Sequence, residues 1–487
     1  MKKSMLAVTA IAAVGLLALA GCNKQGTSST AGSSAAGSST AGTSSTVTPS
    51  TEGKVLNIEC WNNEFQGRFE NFYPDFIKTV KEGDSSYDLL RDGTKVYFKI
   101  TANDNNGYQN KLDADLKAQD SAAADDKVDM FLIEADYATK YTASDYALDV
   151  KGDIGLSDAD VSNMYQYTKD IVTVDGKLKA VSWQATPGLY AYRRDLAKTV
   201  LGSDDPATVQ AALADWTKFD AVAKTAHDKG IYMLSGYDDA YRVYSNNMAK
   251  PWVTNKVVHL DDQIKAWMKA TKAYTDAGYN DKTSLWDAQW QKNQGPKGDK
   301  VFGYFYSTWG INFTLAGNSD PDKLGNVNDV TKSLYGDYAV CQGPASWYWG
   351  GSWLCAAKGT DNKALINKIM YTMTCSPAVA NGITRITQDY TNNIPAMNAI
   401  AADTTYGSSF LGGQNHIALF KESAAKIDMK NACAYDQGCN EQMQNAMKDY
   451  FAGKTTSIAD AMDAFKTALD AKYTGLTYDS SFDITTL

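Results

Sequence analysis

The chain has 487 residues, of which 44 % are hydrophobic and 21 % are charged. This composition suits a globular protein with a buried core and excludes a disordered, collagen-like or coiled-coil chain. Lys and Arg number 47 against 56 Asp and Glu, and the net charge of −9 argues against a nucleic-acid partner. The three histidines (His227, His259 and His416) cannot form a His-rich metal site without Cys or carboxylate ligands from elsewhere. The 29 Tyr and 11 Trp make the protein rich in aromatic side chains.

The N-terminus has the pattern of a bacterial lipoprotein signal. Lys2 and Lys3 precede an uncharged apolar run at 6–20 that is short for a membrane span, and Leu-Ala-Gly-Cys22 follows. Small residues admit the signal peptidase, and the Cys22 thiol takes the lipid. The pattern predicts a signal peptide at 1–21 and lipidation (palmitate) at Cys22. An ordinary secretory signal with a chance cysteine is the alternative.

The residues after the signal have the composition of a tether. Of the thirty residues 23–52, 24 are Ser, Thr, Ala or Gly, which cannot bury a core and form a flexible coil with a reach of about 30 Å. With Cys22 lipidated, the segment 22–52 would hold a folded domain on the extracellular face of the cell membrane. A tether of this length is typical of a Gram-positive surface. No later segment has eighteen consecutive apolar residues, so no transmembrane helix is predicted.

Strand and helix patterns alternate at the start of the folded part. The sequence predicts strands at 55–61, 95–100 and 128–133, and a helix at 109–118. Alternation of this kind predicts an α/β protein with a parallel sheet and right-handed crossovers.

Helical spacing dominates the later part of the chain. A helix is predicted from an N-cap at Asp215 to Gly230, with a strand at 231–235 directly after it. Further helices are predicted around 264–274 and within 440–472. Three tryptophans on helical patterns are predicted to be core residues: Trp216, Trp267 and Trp290.

Aromatic, amide and carboxylate side chains follow the predicted strands. In open α/β sheets, ligands bind beyond the carboxyl ends of the strands. The residues there are 61–65 after the first strand and 134–137 after the third. A pyranose offers an apolar C–H face for stacking and a rim of hydroxyls that needs donors and acceptors, so these residue types suit a sugar. Similar mixtures recur at 182–184, 236–239, 307–309 and 347–351. Each segment taken singly is more typical of core plus a turn than of a binding site.

The ordered set of segments resembles the family 1 extracellular solute-binding proteins, which are carbohydrate-binding lipoproteins of ABC importers. The segments are WNNEF at 61–65, DMFLIEADY at 129–137, WQATPGLYAYRR at 183–194, YDDAY at 237–241, YFYSTW at 304–309, WGGSW at 349–353, DYTNN at 389–393 and LGGQ at 411–414. No single segment is diagnostic, but all occur in the family's order behind a lipoprotein signal. The resemblance implies a two-lobed, periplasmic-binding-protein-like type II fold with hinge crossovers between the lobes.

The same resemblance implies a function. The lobes would close on an oligosaccharide and deliver it to ABC transporter permease subunits, with no catalysis. We expect no cofactor, no metal and a monomer. The implied domain 53–487 divides into lobe 1, at about 53–182 and 345–390, and lobe 2, at about 187–340 and 391–487.

The resemblance also implies the ligand-binding residues. Hydroxyl partners are expected from lobe 1 at Asn63, Glu64, Glu134 and Asp136, from the first crossover at Gln184, and from lobe 2 at Tyr237, Asp238 and Asp239. Trp309 and Trp349 are the expected stacking platforms, and Gln414 is a later loop contact. Structural alternatives stay open: a helix start at Glu64, a turn or N-cap at Asp238 and Asp239, and a strand bend at 350–351.

Cysteines and one acidic loop raise two further possibilities. Six Cys follow Cys22 and allow fifteen pairings, of which Cys433 with Cys439 and Cys341 with Cys355 are candidates.

The segment 103–107 faintly resembles a Ca²⁺ loop but has no bidentate Glu at the right distance, which favours a strand-to-helix turn.

Two other classes of protein also bind sugar outside the cell. A secreted glycoside hydrolase needs a cleft with carboxylates, but no (β/α)₈ or β-sandwich hydrolase layout is evident. A surface glycan-binding protein could hold polymer without feeding an importer, although such proteins usually use β-sandwich modules. The sequence does not name the sugar, because the same residue types suit gluco-, xylo- and manno-oligosaccharides.

Overall fold

The computed structural model describes residues 53–325 and 328–487. The predicted signal peptide, Cys22 and the tether lie outside the described residues. The strands are β1 (Val55–Cys60), β2 (Phe76–Glu82), β3 (Ser85–Leu90), β4 (Lys95–Ile100), β5 (Met130–Glu134), β6 (Thr173–Val174), β7 (Lys177–Leu178), β8 (Val181–Ser182), β9 (Gly188–Arg193), β10 (Leu234–Gly236), β11 (Val253–Thr254), β12 (Val257–Val258), β13 (Asn280–Thr283), β14 (Gly303–Ser307), β15 (Tyr338–Cys341), β16 (Ser352–Ala356) and β17 (Thr477–Tyr478).

The helices are distributed along the whole described part of the chain. They are α1 (Glu64–Phe72), α2 (Gly107–Ala118), α3 (Ala138–Thr142), α4 (Asp158–Val161), α5 (Gln166–Asp170), α6 (Arg194–Leu201), α7 (Pro206–Ala212), α8 (Trp216–His227), α9 (Tyr241–Ser245), α10 (Asp262–Ala277), α11 (Ala288–Asn293), α12 (Thr308–Gly310), α13 (Ala316–Ser319), α14 (Lys363–Met370), α15 (Pro377–Thr387), α16 (Ile394–Ala401), α17 (His416–Ala424), α18 (Asp436–Phe451) and α19 (Ile458–Lys472).

A seven-stranded sheet forms the centre of the first lobe, in the order β2-β3-β4-β1-β5-β16-β8. The predicted strands are confirmed as β1, β4 and β5, and β1 pairs in parallel with both of the others. The prediction of a parallel sheet holds only for these central strands. β2 and β3 form an antiparallel hairpin at one edge, and β16 runs antiparallel to both β5 and β8. The chain re-enters this sheet at β16 after building the second lobe, which is why sequence-local alternation did not reveal it.

The second lobe is built around two small sheets, β14-β9-β15 and β10-β13. Side chains of β9 alternate between two hydrophobic cores: Leu189 and Ala191 face the core that contains the large sheet, whereas Tyr190 and Tyr192 face the other. Strand geometry requires this alternation, because successive side chains point to opposite faces. The arrangement confirms the α/β fold with two lobes.

The predicted helices are confirmed with small shifts of their ends. The Asp215 carboxylate accepts a 2.8 Å hydrogen bond from the backbone N–H of Lys218 and begins α8, as expected for an N-cap. The predicted strand at 231–235 is displaced to β10, and Tyr232 forms only an isolated bridge with Val301. Trp267 and Trp290 are buried as predicted. Trp216 is only half-buried, with its ring stacked on Tyr244 at a centroid distance of 4.4 Å.

Two chain segments cross between the lobes side by side. One follows β8, and the other precedes β16. The N–H of Gly188 donates to the Trp347 carbonyl at 2.7 Å, and the N–H of Trp349 donates to the Thr186 carbonyl at 3.1 Å. A Cβ at position 188 would lie 2.0 Å from the Trp347 ring, so only glycine fits this crossing. These pairings hold the two crossing segments together.

Neither candidate disulfide is present, and all six described cysteines are free thiols. Cys341 and Cys355 lie in different hydrophobic cores. The Cys433 thiol donates to the Asp436 carboxylate at 3.0 Å, while Cys439 is fully buried on α18.

The segment 103–107 forms a turn between β4 and α2, in which Asn105 and Asn106 have positive φ angles of 52° and 61°. Within the described ranges there is no group of three or more His, Cys, Asp or Glu side chains suited to a metal ion. Nor do those ranges contain a helix with the length and apolar character needed to cross a bilayer.

Candidate functional site

A cleft of about 700 Å³ lies where the two lobes meet the crossing segments. Six of the eleven residues predicted to bind ligand line it: Asn63, Glu64, Glu134, Gln184, Trp309 and Trp349. The other lining residues are Trp61, Asn62, Arg68, Asn312, Phe313, Gly350, Gly351, Ser352, Thr387 and Asp389. The cleft therefore combines large aromatic rings with amides, carboxylates and one guanidinium.

The loop after β1 supplies one wall of the cleft. The Asn62 side chain accepts a 3.0 Å hydrogen bond from the N–H of Glu64, the first residue of α1. Glu64 is thus at a helix start as well as in the cleft. Trp61 packs edge-on against Tyr108 and Tyr137, with ring centroids 5.5 and 6.2 Å apart, and these contacts fix its orientation.

Arg68 links two carboxylates of the cleft. Its guanidinium lies 3.2 Å from the Glu64 carboxylate and donates to Asp389 through Nε at 2.9 Å. The Gln184 amide donates to Glu64 at 3.4 Å. Burial raises the pKa of Glu64, and the charge of Arg68 opposes that shift. The network holds carboxylate oxygens as pre-oriented hydrogen-bond acceptors.

The surroundings of Glu134 favour the protonated form of its carboxyl group. Burial and the negative charge of Asp136 raise the pKa of Glu134 to about 8, although the positive charge of Arg242 acts in the opposite direction. One carboxyl oxygen accepts a 2.7 Å hydrogen bond from the N–H of Asp136. At neutral pH the protonated carboxyl can donate as well as accept, as a hydroxyl-rich ligand requires.

Two tryptophans form an angled aromatic surface in the cleft. The rings of Trp309 and Trp349 meet edge to face, with centroids 5.2 Å apart and planes at 70°. Trp309 Nε1 donates to the Trp349 carbonyl at 2.8 Å, which ties α12 to the second crossing segment. Gly350 has φ of +72°, and a Cβ there would come within 3.0 Å of Trp309 Nε1. A side chain at position 350 would thus press on the ring and strain the backbone.

The other five predicted residues do not line the cleft. The Asp136 carboxylate pairs with Arg242 in the second lobe through two 2.8 Å hydrogen bonds. Tyr237 is 5 % exposed and stacks on Phe451. Gln414 exchanges hydrogen bonds with the backbone N–H and carbonyl of Val340, at 2.9 and 2.8 Å.

Asp238 and Asp239 instead hold the backbone and side chains of neighbouring elements. Asp238 accepts from the N–H of Leu285 at 3.2 Å, and burial raises its pKa to about 6. Asp239 accepts from the N–H groups of Ser235 and Gly236 and from Trp290 Nε1, at 2.7 to 2.9 Å. The structure thus gives this pair the turn-capping geometry that the sequence left open as an alternative.

Several cleft residues were not predicted from the sequence. Trp61, Asn62 and Asp389 lie inside the segments 61–65 and 389–393 that carry the family resemblance, so their residue types were a usable signal. Arg68 lies one helical turn after Glu64, which is the spacing of an ion pair on one helix face. Asn312 and Phe313 lie on a π-helical turn at Ile311–Leu315, for which the sequence carries no clear signal.

Solved structures share this fold. A family 1 extracellular solute-binding protein has 18 % sequence identity and a TM-score of 0.65, with 85 % of this chain and 97 % of that chain covered. An ABC transporter associated binding protein from B. animalis subsp. lactis, in complex with β-1,6-galactobiose, has 17 % identity, a TM-score of 0.60, and coverage of 88 % and 99 %. The galacto-N-biose-/lacto-N-biose I-binding protein from Bifidobacterium longum, in complex with lacto-N-biose, has 16 % identity, a TM-score of 0.60, and coverage of 88 % and 100 %.

Sequence comparison gives the family. No curated protein sequence matches the chain. Residues 89–409, about two thirds of the chain, match the family described as bacterial extracellular solute-binding protein. The matched range runs from the large sheet through both crossing segments and includes most of the cleft. The chain belongs to the bacterial extracellular solute-binding proteins.

Proposed function

We propose that the protein captures an oligosaccharide in the cleft between its lobes and delivers it to the permease of an ABC importer. The observation that carries this proposal is the angled Trp309–Trp349 surface, which faces a cleft lined by polar groups from both lobes. Aromatic faces stack on the C–H surface of a pyranose, and the polar groups around them pair with its hydroxyls. The structures of sugar-binding relatives with the same fold support the choice of ligand class.

The donors and acceptors of the cleft suit hydroxyl groups. Glu64 and Asp389 are held beside Arg68 as acceptors, while Asn63 and Gln184 carry amides that both donate and accept. A sugar hydroxyl also does both, so a mixed set of this kind leaves few hydroxyls unpaired. Unpaired buried polar groups would cost binding free energy.

The lobes supply the mechanism of capture. The wall after β1 belongs to one lobe and the Trp309 region to the other, with the crossing segments between them. A ligand that touches both walls binds a closed arrangement better than an open one, and this difference in affinity drives closure. We assign lobe 1 to about 53–182 and 345–390, and lobe 2 to about 187–340 and 391–487. A closed, loaded protein differs in shape from an empty one, which gives a permease a means of telling them apart.

Anchoring completes the proposal. A lipid on Cys22 and the tether through residue 52 would keep the domain on the extracellular face of the cell membrane, close to permease subunits. The protein would act as a monomer, without cofactor, metal or nucleic acid. The importer must receive the sugar unchanged, so we propose no catalytic role for the cleft carboxylates.

A ligand screen tests the proposal. Purified protein is heated with and without each member of a panel of gluco-, xylo-, manno- and galacto-oligosaccharides, and hits are titrated by calorimetry. We expect a rise in Tm for at least one oligosaccharide, because a ligand that binds only the folded state stabilises it. Absence of any shift or heat across the panel would contradict the proposal.

Recovery of the ligand separates a binding protein from a hydrolase. After prolonged incubation with the bound oligosaccharide, the mixture is denatured and chromatographed. The proposal predicts that the sugar is recovered intact in stoichiometric amount. Steady release of shorter sugars would favour a glycoside hydrolase.

A further inference from the structure

Trp286 exposes an aromatic ring next to the cleft. It lies between β13 and α11 and is 48 % exposed, more than any other tryptophan in residues 53–325 and 328–487. Large aromatic rings are normally buried, so an exposed one beside a candidate binding site calls for an explanation. Trp286 does not line the cleft itself and is not among the residues predicted from the sequence.

The backbone at Trp286 is strained. Its φ angle is +71°, in the left-handed region that a bulky side chain rarely adopts. Trp286 is the one aromatic residue with a positive φ in the described part of the chain. Such strain persists only where neighbouring contacts fix it, and it is concentrated at functional sites.

Specific hydrogen bonds hold this conformation. The Trp286 carbonyl accepts a 2.9 Å hydrogen bond from the Gln291 side chain. The preceding residue, Leu285, donates its N–H to Asp238, and Trp290 on α11 donates its Nε1 to Asp239. The two buried carboxylates thus fix the loop that presents the Trp286 ring.

The ring continues the aromatic surface of the cleft. Trp286 lies nearly parallel to Trp309, with planes 18° apart and centroids at 6.3 Å, and its centroid is 5.9 Å from Trp349. Phe313, which is 81 % exposed, also lies beside Trp309, at 6.5 Å. The aromatic surface therefore extends past the lining of the cleft.

We propose that Trp286 forms an outer subsite, which stacks a further sugar residue of an oligosaccharide whose other residues occupy the cleft. This inference rests on the proposed function and refines its substrate class: the ligand is longer than the cleft alone accommodates. The outer sugar stacks on the exposed face of this ring, and that stacking supplies its added affinity.

A chain-length series tests the outer subsite. Calorimetry compares the wild type with Trp286→Gly for members of one oligosaccharide series of increasing length. Glycine adopts the φ of +71° without strain, which offsets part of the packing lost with the ring, so we expect this variant to stay folded, as a thermal melt checks. We expect about tenfold weaker binding of the longer members and unchanged binding of the shortest member that binds, because only longer chains reach the ring. Trp286→Phe should restore most of the affinity for the longer members.

Matched controls make the outcomes decisive. Tyr371 is an exposed aromatic residue, at 45 %, that does not line the cleft, and Tyr371→Ala should leave affinity unchanged at every length. Equal loss at all lengths in Trp286→Gly would indicate a structural role for Trp286 and overturn the inference. Unchanged affinity at all lengths would overturn it too, while leaving the proposed function intact. Failure of the wild type to bind any oligosaccharide would overturn both.

Discussion

Arg242 donates two hydrogen bonds of 2.8 Å to Asp136, and this ion pair joins the two lobes beside the cleft. Asp136 follows β5 of the large sheet, whereas Arg242 lies on α9 in the second lobe. The guanidinium also lies 5.6 Å from the centroid of the Trp349 ring, in cation–π contact. One side chain thus connects a lobe contact to an aromatic residue of the cleft. Within the described residues, Asp136 pairs with Arg242, whereas Glu134 accepts a hydrogen bond from the N–H of Asp136 and forms no ion pair.

Removal of Arg242 should destabilise the fold. Arg242→Met leaves the largely buried Asp136 carboxylate without its partner, and we expect the free energy of unfolding to fall by about 3 kcal/mol. Urea denaturation measures the change. Lys224→Met is the matched control, because Lys224 pairs with Asp228 on the surface and its loss should cost less than about 0.5 kcal/mol. Equal losses in the two variants would show that the Arg242–Asp136 pair stabilises the fold no more than a surface ion pair does.

The aromatic surface should dominate ligand affinity. Trp349→Ala removes a ring that behaves as a hot spot worth about 2 kcal/mol or more, so oligosaccharide binding should weaken by about thirtyfold or more. Trp216→Ala is the control, since Trp216 is half-buried and stacked on a tyrosine but lies outside the cleft. Calorimetry on folded protein provides both affinities. If Trp349→Ala binds as tightly as the wild type, Trp349 is a core residue rather than a platform.

The Glu134 carboxyl should make stability depend on pH. Its pKa is about 8 in the folded protein against 4.5 ordinarily, so the folded state keeps a proton that the unfolded state releases between these values. The folded state binds more protons in this window, and the free energy of unfolding therefore decreases as pH rises through it. Glu134→Gln removes the titration while keeping the shape.

Denaturation at several pH values between about 5 and 8 checks this sign. The curve of the wild type should fall more steeply than that of Glu134→Gln, by up to about 1.4 kcal/mol per pH unit. Other buried acids titrate in both proteins, so the difference between the curves isolates Glu134. Parallel curves would mean that Glu134 is ionised like an exposed glutamate.

The sequence predicted best those elements that depend on residues close together in the chain. Strands β1, β4 and β5 and the N-cap at Asp215 follow from neighbouring residues, and they were predicted correctly. The loop residues Asn63 and Glu64 reached the cleft because they directly follow a central parallel strand. Pairing of β16 with β5 depends on a return of the chain after more than two hundred residues, which no local pattern encodes.

Residue type alone did not separate a side chain that lines the cleft from one that makes a structural contact. Asp238 and Asp239 have the same chemistry as Glu64, but their oxygens are used by backbone N–H groups and an indole. Gln414 likewise satisfies a backbone N–H and carbonyl rather than facing the cleft. Trp286 was not predicted because its place beside the cleft depends on a positive φ and on packing against a ring distant in sequence.

Cys22 should be the membrane anchor. Cys22→Ser removes the thiol that takes the lipid, and we expect intact protein in the medium rather than in the membrane fraction. Fractionation followed by immunoblotting provides the measurement, with Cys433→Ser as a control that keeps the anchor. Retention of the Cys22→Ser protein in the membrane fraction would contradict lipidation at this residue.

Hydrogen–deuterium exchange with and without saturating oligosaccharide tests the central claim most directly, because that claim requires one ligand to contact both lobes. The account predicts slower exchange both at residues 61–64, in the wall after β1, and at residues 309–313, beside the Trp309 platform. It also predicts little change at the exposed hairpin β2–β3, which serves as an internal reference. Protection confined to one of the two walls, or absent from both despite calorimetric binding, would contradict capture between the lobes.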